Sequence, residues 1–367
     1  MKRIIAQARK ELTQFSRDRL TLALALVLPL ILLVLYGRAI AFSVTGVAIF
    51  VEDYDATPRS RAYIETLAAS RTFRIVALPT GMRTADALAA EAVRAVVTIP
   101  THFERDLARG RDVDVQWLID ATDANTANIL RGDAAAMTQA FVAQNSASAK
   151  PSIKIETRLW YNPGRESDKY IGPGVIAVVL ALFPPLLAAL AMSRENEQKT
   201  ILQVYVSSIS AREYLLGKTL AFLVVALAEW AVLLALGLWF FGLWFIGDPL
   251  PFLVGTLIYL FCNVAFGVMA GAAMPNQAMT IQAVATVSFV FSFLLSGFMF
   301  PLSNIPAGLR WIANIVPARY FIEIARDAFV RGSGWSAIWQ SLVSLALLGT
   351  FFLFVAWRKM RKMQVEI

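Results

Sequence analysis

Few residues of this 367-residue chain have chemistry to offer. There is one histidine, His102, which reads as an exposed residue in a helix's first turn, so neither a His-based metal site nor a His-dependent triad is expected. Gly217-Lys218-Thr219 resembles the end of a phosphate-binding loop. That loop needs glycine where Arg212 stands, and this segment opens an apolar run instead of following a strand. The acid pairs Asp112/Asp114 and Asp120/Asp123 fall at strand ends and turns, where carboxylates are ordinarily solvated. No catalytic, cofactor-binding or metal set assembles. Glu229 is different, because it alone interrupts the otherwise charge-free stretch Thr219–Gly247. It lies roughly fifteen residues into that helix, about 22 Å up. A carboxyl at such depth costs about 2.5–3.5 kcal/mol on insertion scales unless it is paired or faces water. Two readings follow: a group that lines a cavity or pairs helices, or a snorkelling or protonated acid near the outer interface.

The elements that position these residues are membrane spans. The chain is 57% hydrophobic and 16% charged, far from a soluble domain. No Asp, Glu, Lys or Arg occurs in Leu20–Gly37, Tyr170–Ser193, Pro249–Leu309 or Gly332–Trp357. Each run reaches the roughly 18–20 residues that cross the hydrocarbon as a helix. The pattern predicts an α-helical integral membrane protein with six spans, at about 20–40, 170–192, 216–244, 251–273, 278–299 and 337–357. The net charge of +8 sits beside them, with Lys2, Arg3, Arg9, Lys10, Arg17 and Arg19 before the first span and Arg358, Lys359, Arg361 and Lys362 after the last. Basic flanks mark the cytoplasmic side, so the basicity is topology and lipid contact, not nucleic-acid binding. The only cysteine, Cys262, lies within a span, so no intramolecular disulfide forms.

Four further segments complete the organisation. Residues 1–19 read as a cytoplasmic interfacial amphipathic helix, with Ile4, Ile5, Ala8, Leu12 and Phe15 at helical spacing. Residues 20–42 are the first span, and residues 43–168 read as an inserted mixed α/β domain outside the cytoplasm. Its expected strands are Val44–Val51, Phe73–Leu78, Ala95–Ile99, Val113–Ile119 and Ile153–Trp160, with a long helix over Asn125–Gln144. Thr57-Pro58 supplies a helix start, and Thr101-His102-Phe103-Glu104 reads as a capping box. Residues 169–357 form a five-helix transmembrane domain containing a polar cytoplasmic loop, 193–217, and Ser210/Glu213 is a capping box at its end. Prolines 301, 306 and 317 break the apolar pattern of 300–320, as suits short helices dipping back into the membrane before the last span. Residues 358–367 are a basic cytoplasmic tail.

Three stretches resemble the ABC type-2 exporter permeases, in the subgroup with a large domain after the first span. Leu295-Ser296-Gly297-Phe298-Met299-Phe300-Pro301, continuing through Pro306 and Pro317-Ala318-Arg319-Tyr320-Phe321, is similar to the end of the family's fifth span and its outer re-entrant hairpin. Ser193-Arg194-Glu195-Asn196-Glu197 through Thr200 to Tyr214-Leu215-Leu216-Gly217-Lys218 is similar to its cytoplasmic coupling loop. Trp160-Tyr161-Asn162-Pro163 resembles the exit from the inserted domain. The chain departs from the pattern at Lys199, Ser208 and Val316, where the family favours Gly, Pro and Asn.

The resemblance implies a permease subunit that exports a hydrophobic or amphipathic substrate. It would pair with a second permease, as homodimer or heterodimer, and with a separate ABC ATPase that holds the ATP and magnesium. A periplasmic membrane-fusion subunit is a further partner of such systems, in a bacterial inner membrane with the inserted domain in the periplasm. Arg194, Glu195, Glu197, Thr200, Tyr205 and Glu213 become the expected ATPase-coupling residues, and Gly297, Pro301, Pro306, Pro317 and Tyr320 those that shape the hairpin. This chain itself would hold no cofactor. Two other classes remain at this point: a secondary transporter, or a membrane-anchored binding or signalling protein that acts through its inserted domain.

Overall fold

The computed structural model describes residues 1–39, 46–78, 83–90, 92–121, 124–145, 167–200, 209–300, 302 and 305–361. Two compact units emerge, 42–158 and the remainder (1–41 with 159–367). In the first lie β1 (Val47–Asp53), α3 (Pro58–Ala68), β2 (Phe73–Ile75), α4 (Thr84–Ala89), β3 (Ala95–Ile99), α5 (Phe103–Ala108), β4 (Gln116–Ile119) and α6 (Ala124–Asn145). The sheet order is β2-β1-β3-β4, with β1 parallel to β2 and β3, and β4 antiparallel to β3. β3 is apolar at every position but Thr98 because both faces are covered: Ala95, Val97 and Ile99 enter the core with Tyr63, Phe103 and Phe141, while Val96 packs with Ala87 and Val93.

Helix starts in this unit show local chemistry. Thr57 caps α3 as its spacing suggests, with Ser60 answering as a full capping box. The box expected at Thr101–Glu104 does not form. His102 occupies the cap position at φ 70°, and the α5 N-terminus is instead capped from outside, by Asp55 accepting the Glu104 N–H at 3.0 Å. Burial works upward on the Asp55 carboxyl, but backbone N–H groups of 102–104 and the Thr57 hydroxyl outweigh it and hold it below the usual range. The strand expected over Ile153–Trp160 lies outside the described residues.

The second unit is helical: α1 (Lys2–Arg17), α2 (Arg19–Ala39), α7 (Ser167–Glu197), α8 (Ala211–Phe240), α9 (Leu250–Ala273), α10 (Gln277–Leu294), α11 (Ala307–Ala313), α12 (Pro317–Arg326) and α13 (Trp335–Met360). Among the described residues five helices, α7 to α10 and α13, are long and apolar enough to cross a membrane; α2 raises the number to six when α1 and α2, which meet at 94°, are taken together as one bent span. α7 is the hub, packed by α2, α8, α9, α10 and α12. It tolerates Pro173, Pro184 and Pro185 because neighbouring helices enclose the freed backbone.

Small residues set the closest approach. A Cβ at Gly267 would lie 2.7 Å from Pro185 Cα, and one at Gly271 would lie 2.9 Å from Ala189 Cα. This Gly-x-x-x-Gly face therefore seats α9 directly on the α7 backbone. Near the other end, Tyr259 donates to the Ala177 carbonyl at 2.7 Å and stacks on Phe321 of α12 at 4.2 Å and 2°. The region expected as a hairpin is thus two short helices, with α12 wedged among α7, α9 and α13. Pro306 precedes α11 and Pro317 opens α12. Tyr320 donates to the Asn314 carbonyl at 2.8 Å, and Gly297 turns at φ 83°. Pro301 lies outside the described residues.

Candidate functional site

Charged side chains converge where α1, α7 and α8 meet. The local cause is Gly217: a Cβ there would lie 2.7 Å from the Gln7 side chain and 3.0 Å from the Ile4 carbonyl, so glycine admits α1 against α8. The next residue, Lys218, is fully buried and points into the seam. Its ammonium pairs with Glu11 of α1 at 2.9 Å and with Glu195 of α7 at 3.4 Å, and donates to the Ala191 carbonyl at 3.2 Å. Lys10 reaches Glu195 at 2.8 Å and Glu11 at 3.7 Å. Tyr214 donates its hydroxyl to Glu195, and the Gln7 amide donates to Glu11 at 2.8 Å.

Two ammonium groups and two carboxylates balance: three of the charges are buried, and half-exposed Lys10 supplies the second positive charge from the rim. Burial pulls the Lys10 ammonium downward, but Glu195 and Glu11 outweigh it and hold Lys10 above its usual value. A second tie lies alongside. Arg194 pairs with Asp18 at 3.0 Å, at the corner between α1 and α2. Asp18 also caps α2, accepting the Thr21 hydroxyl at 2.7 Å and its N–H at 3.1 Å. Thr21 chiefly, with Arg194, lowers the Asp18 carboxyl to about 2. A third joins α7 to α10, where Glu197 accepts the Gln277 N–H at 2.9 Å.

The residues read as a docking loop therefore have internal addresses. α7 continues to Glu197, past the expected loop start at 193, and Glu195 is buried. Thr200 donates back to the Glu195 carbonyl at 3.4 Å. Glu213 and Ser210 form the expected capping box of α8, with Arg3 at 3.8 Å from the Glu213 carboxylate. Tyr205 falls outside the described residues. Arg212 lies over the Trp357 ring at 4.6 Å, tying α8 to the end of α13.

Glu229 is 2% exposed, and neither carboxylate oxygen has a hydrogen-bond partner among the described residues. It shares the inward face of α8 with Phe222, Ala226, Leu233 and Gly237. Of the two sequence-based readings, snorkelling requires an exposed head and does not describe this placement.

Sequence reasoning gave Glu11 and Gln7 no role, took Lys10 only as a basic flank, and met Lys218 only in a rejected phosphate-loop fragment and in the resemblance to the coupling loop. A signal existed: Glu11 falls beside Ala8 on the face of an otherwise amphipathic helix, and Lys218 sits about two turns inside its own. An ionisable group in such a place asks for a partner.

These features define a polytopic helical membrane protein whose N-terminal amphipathic helix is locked by buried charge onto the ends of two spans. A model of the family described as "ABC-2 family transporter protein" matches residues 19–358. The chain is 25% identical over 376 residues to the Escherichia coli K12 protein named "Probable multidrug ABC transporter permease YbhS", covering 98% of this chain and 97% of that one. It is 26% identical over 353 residues to "Probable multidrug ABC transporter permease YbhR" of the same strain, covering 93% and 95%. Similarity to the "Linearmycin resistance permease protein LnrN" of Bacillus subtilis strain 168 is 20% over 362 residues, covering 91% and 92%. The chain belongs to the ABC-2 family of transporter proteins. Membership places it among multi-pass ABC permeases, which are transport subunits and not ATPases, and implies an ABC ATPase partner.

Proposed function

We propose that this permease exports hydrophobic or amphipathic compounds, driven by ATP and magnesium held in the separate ATPase. Direction and substrate class draw support from relatives named for multidrug transport and for linearmycin resistance, since a transport subunit that confers resistance does so most directly by removing the compound. In this reading the chain spans a bacterial inner membrane six times, with α2 as the first span and both termini in the cytoplasm. The basic flanks at Lys2–Arg19 and Arg358–Lys362 support that orientation. Residues 43–168 then lie in the periplasm, where a membrane-fusion subunit has access, and a second permease completes the pore. The single observation that carries the coupling role is the cluster of buried Lys218, Glu11 and Glu195 closed by half-exposed Lys10. It fixes α1, α7 and α8 to one another at the end from which the loop after Glu197 departs, so a push on that loop moves three helices together.

Inverted vesicles containing the permease and its ATPase test the reading. ATP-dependent uptake of a hydrophobic dye, abolished by a hydrolysis-dead ATPase, is the expected result; uptake driven by a proton gradient without ATP points to secondary transport instead. Topology is checked separately with single cysteines in a Cys262→Ser background. Cysteines at Asp86 and Asn128 label from outside intact cells, whereas those at Gln198 and Gln364 do not. Protection of both outer sites overturns the six-span arrangement.

A further inference from the structure

A cavity of about 170 Å³ opens among α7, α9, α10, α13 and the segment joining α11 to α12. It lies within one chain, and the described residues that line it carry no ionisable side chain. Phe266 and Phe352 pack together at 5.4 Å on one side, and Phe291 contributes a third ring. Three polar side chains, all at least nine-tenths buried, face this apolar space: Asn263, Ser288 and Ser292. Ser288 and Ser292 stand one turn apart on the inward stripe of α10. No acceptor meets the Asn263 amide nitrogen at hydrogen-bond distance and angle among the described residues; the Tyr259 hydroxyl, one turn back, interacts with Asn263, but its proton is committed to the Ala177 carbonyl. Glu229 is not part of the lining.

We infer that this cavity binds a neutral amphiphile that inserts one aromatic ring or branched alkyl segment and offers one hydrogen-bond-accepting oxygen to Asn263. The volume sets the size, since apolar cavities of roughly 150 Å³ accept a benzene-sized guest. The amide sets the functional group, because a donor buried without an acceptor is costly and a carbonyl or ether oxygen relieves it. The uncharged lining sets the charge: a cation would be desolvated here with no counter-ion. Such a ligand arrives from the bilayer, either as a free solute or as the ester region of a lipid. The site stands independently of the export reading, because its test measures binding and not transport.

Benzophenone, a neutral aromatic ketone that inserts into nearby C–H bonds under light, probes the purified full-length permease in nanodiscs. Peptide mapping is expected to place the adduct on α9 and α10 around Phe266 and Ser288, with competition by excess acetophenone. Asn263→Leu, which keeps the volume and removes the donor, lowers labelling there by roughly threefold to tenfold, the value of one hydrogen bond. Ser288→Leu, which fills the space, abolishes it, whereas Thr286→Leu, on the exposed side of the same helix, leaves it within about twofold and shows that a leucine in α10 does not itself unfold the bundle. A quaternary-ammonium benzophenone does not label the site. If phosphatidylglycerol carrying an acyl-chain benzophenone labels the same residues and acetophenone fails to compete, the occupant is a lipid ester, and the proposed chemistry holds with that source. Adducts spread evenly over lipid-facing residues such as Leu257 and Val290, equal labelling by the cationic probe, or labelling unchanged in Asn263→Leu and Ser288→Leu together overturns the inference; the last result means that water alone satisfies Asn263.

Discussion

Replacing Lys218 by Met removes one of four mutually paired charges while keeping most of the side-chain volume. The lost ammonium sits 2.9 Å from Glu11 and 3.4 Å from Glu195. At an effective dielectric of about 20, the closer pair is worth roughly 6 kcal/mol of Coulomb energy, before desolvation takes back much of it. Breaking a buried pair by deleting one partner costs about 3–5 kcal/mol. Glu195 retains Lys10 at 2.8 Å and Tyr214, so the damage concentrates on Glu11, left with the Gln7 amide and with Lys10 at 3.7 Å. The lower part of that range, about 3 kcal/mol, is therefore expected. The assay is the thermal midpoint of the purified permease, together with protease nicking within 2–17. Lys218→Met is expected to melt several degrees lower and to expose α1. Adding Glu11→Gln restores neutrality, because Lys10 and Glu195 still match, so the double variant recovers more than half of the loss. A single variant that melts like the wild type, or a double variant less stable than the single, refutes the charge-balance reasoning.

Three other perturbations follow from named contacts. Glu229→Gln is expected to preserve folding and membrane insertion while changing transport or its pH dependence, since the carboxyl has no partner among the described residues to lose; wild-type transport by both Gln and Leu variants rules out a functional role. Gly271→Val forces α9 away from Ala189 and is expected to lower stability by about 1–3 kcal/mol, read as a reduced thermal midpoint, whereas Gly308→Val in α11, with open space at the Cβ, leaves it unchanged. The Asp18 contribution has a defined sign: its carboxyl is held at about 2, below the unfolded value near 4, so its hold on Thr21 and Arg194 is complete above pH 4 and is lost as pH falls toward 2. Asp18→Asn is expected to show that loss at neutral pH, and a wild-type-like midpoint in Asp18→Asn at pH 7 counts against it.

The spans were legible because hydrocarbon admits so few solutions. The spans expected at 170–192, 251–273 and 337–357 fall within α7, α9 and α13, whose ends run up to five residues further, and Ser210/Glu213 gives the start of α8 because a capping box is a local code. The inserted unit was legible where burial was two-faced, at β3, and less so at β2 and β4, which are shorter than their apolar runs. The α5 start was misread because its cap comes from Asp55, distant in sequence, and no local pattern reports such a donor–acceptor match. The cluster was half visible. Gly217-Lys218-Thr219 stood out as a phosphate-loop fragment, and with that reading rejected its glycine and lysine had no assigned work. Their roles need α1 as a partner, more than two hundred residues earlier in the chain.

That long-range pairing changes what an uncoupled mutant means. Glu195 and Glu197 look, in sequence, like charges offered to an ATPase. In the structure Glu195 is 5% exposed and bound to Lys10, Lys218 and Tyr214, while Glu197 holds the first turn of α10. An ATPase that touched Glu195 would have to break the cluster first, at a cost of several kcal/mol. Loss of coupling in Glu195→Ala would therefore report a loosened joint between α1, α7 and α8, whatever its effect on docking. A docking contact is better sought where charge is solvated and unspent. The double variant Glu11→Gln/Lys218→Met separates the two meanings, since it removes the central pair without altering any residue of 193–217. If it uncouples transport while the ATPase still co-purifies, α1 belongs to the lever. If coupling is intact, the lever lies in the loop and α8 alone, and the buried charges serve only to hold α1 in place.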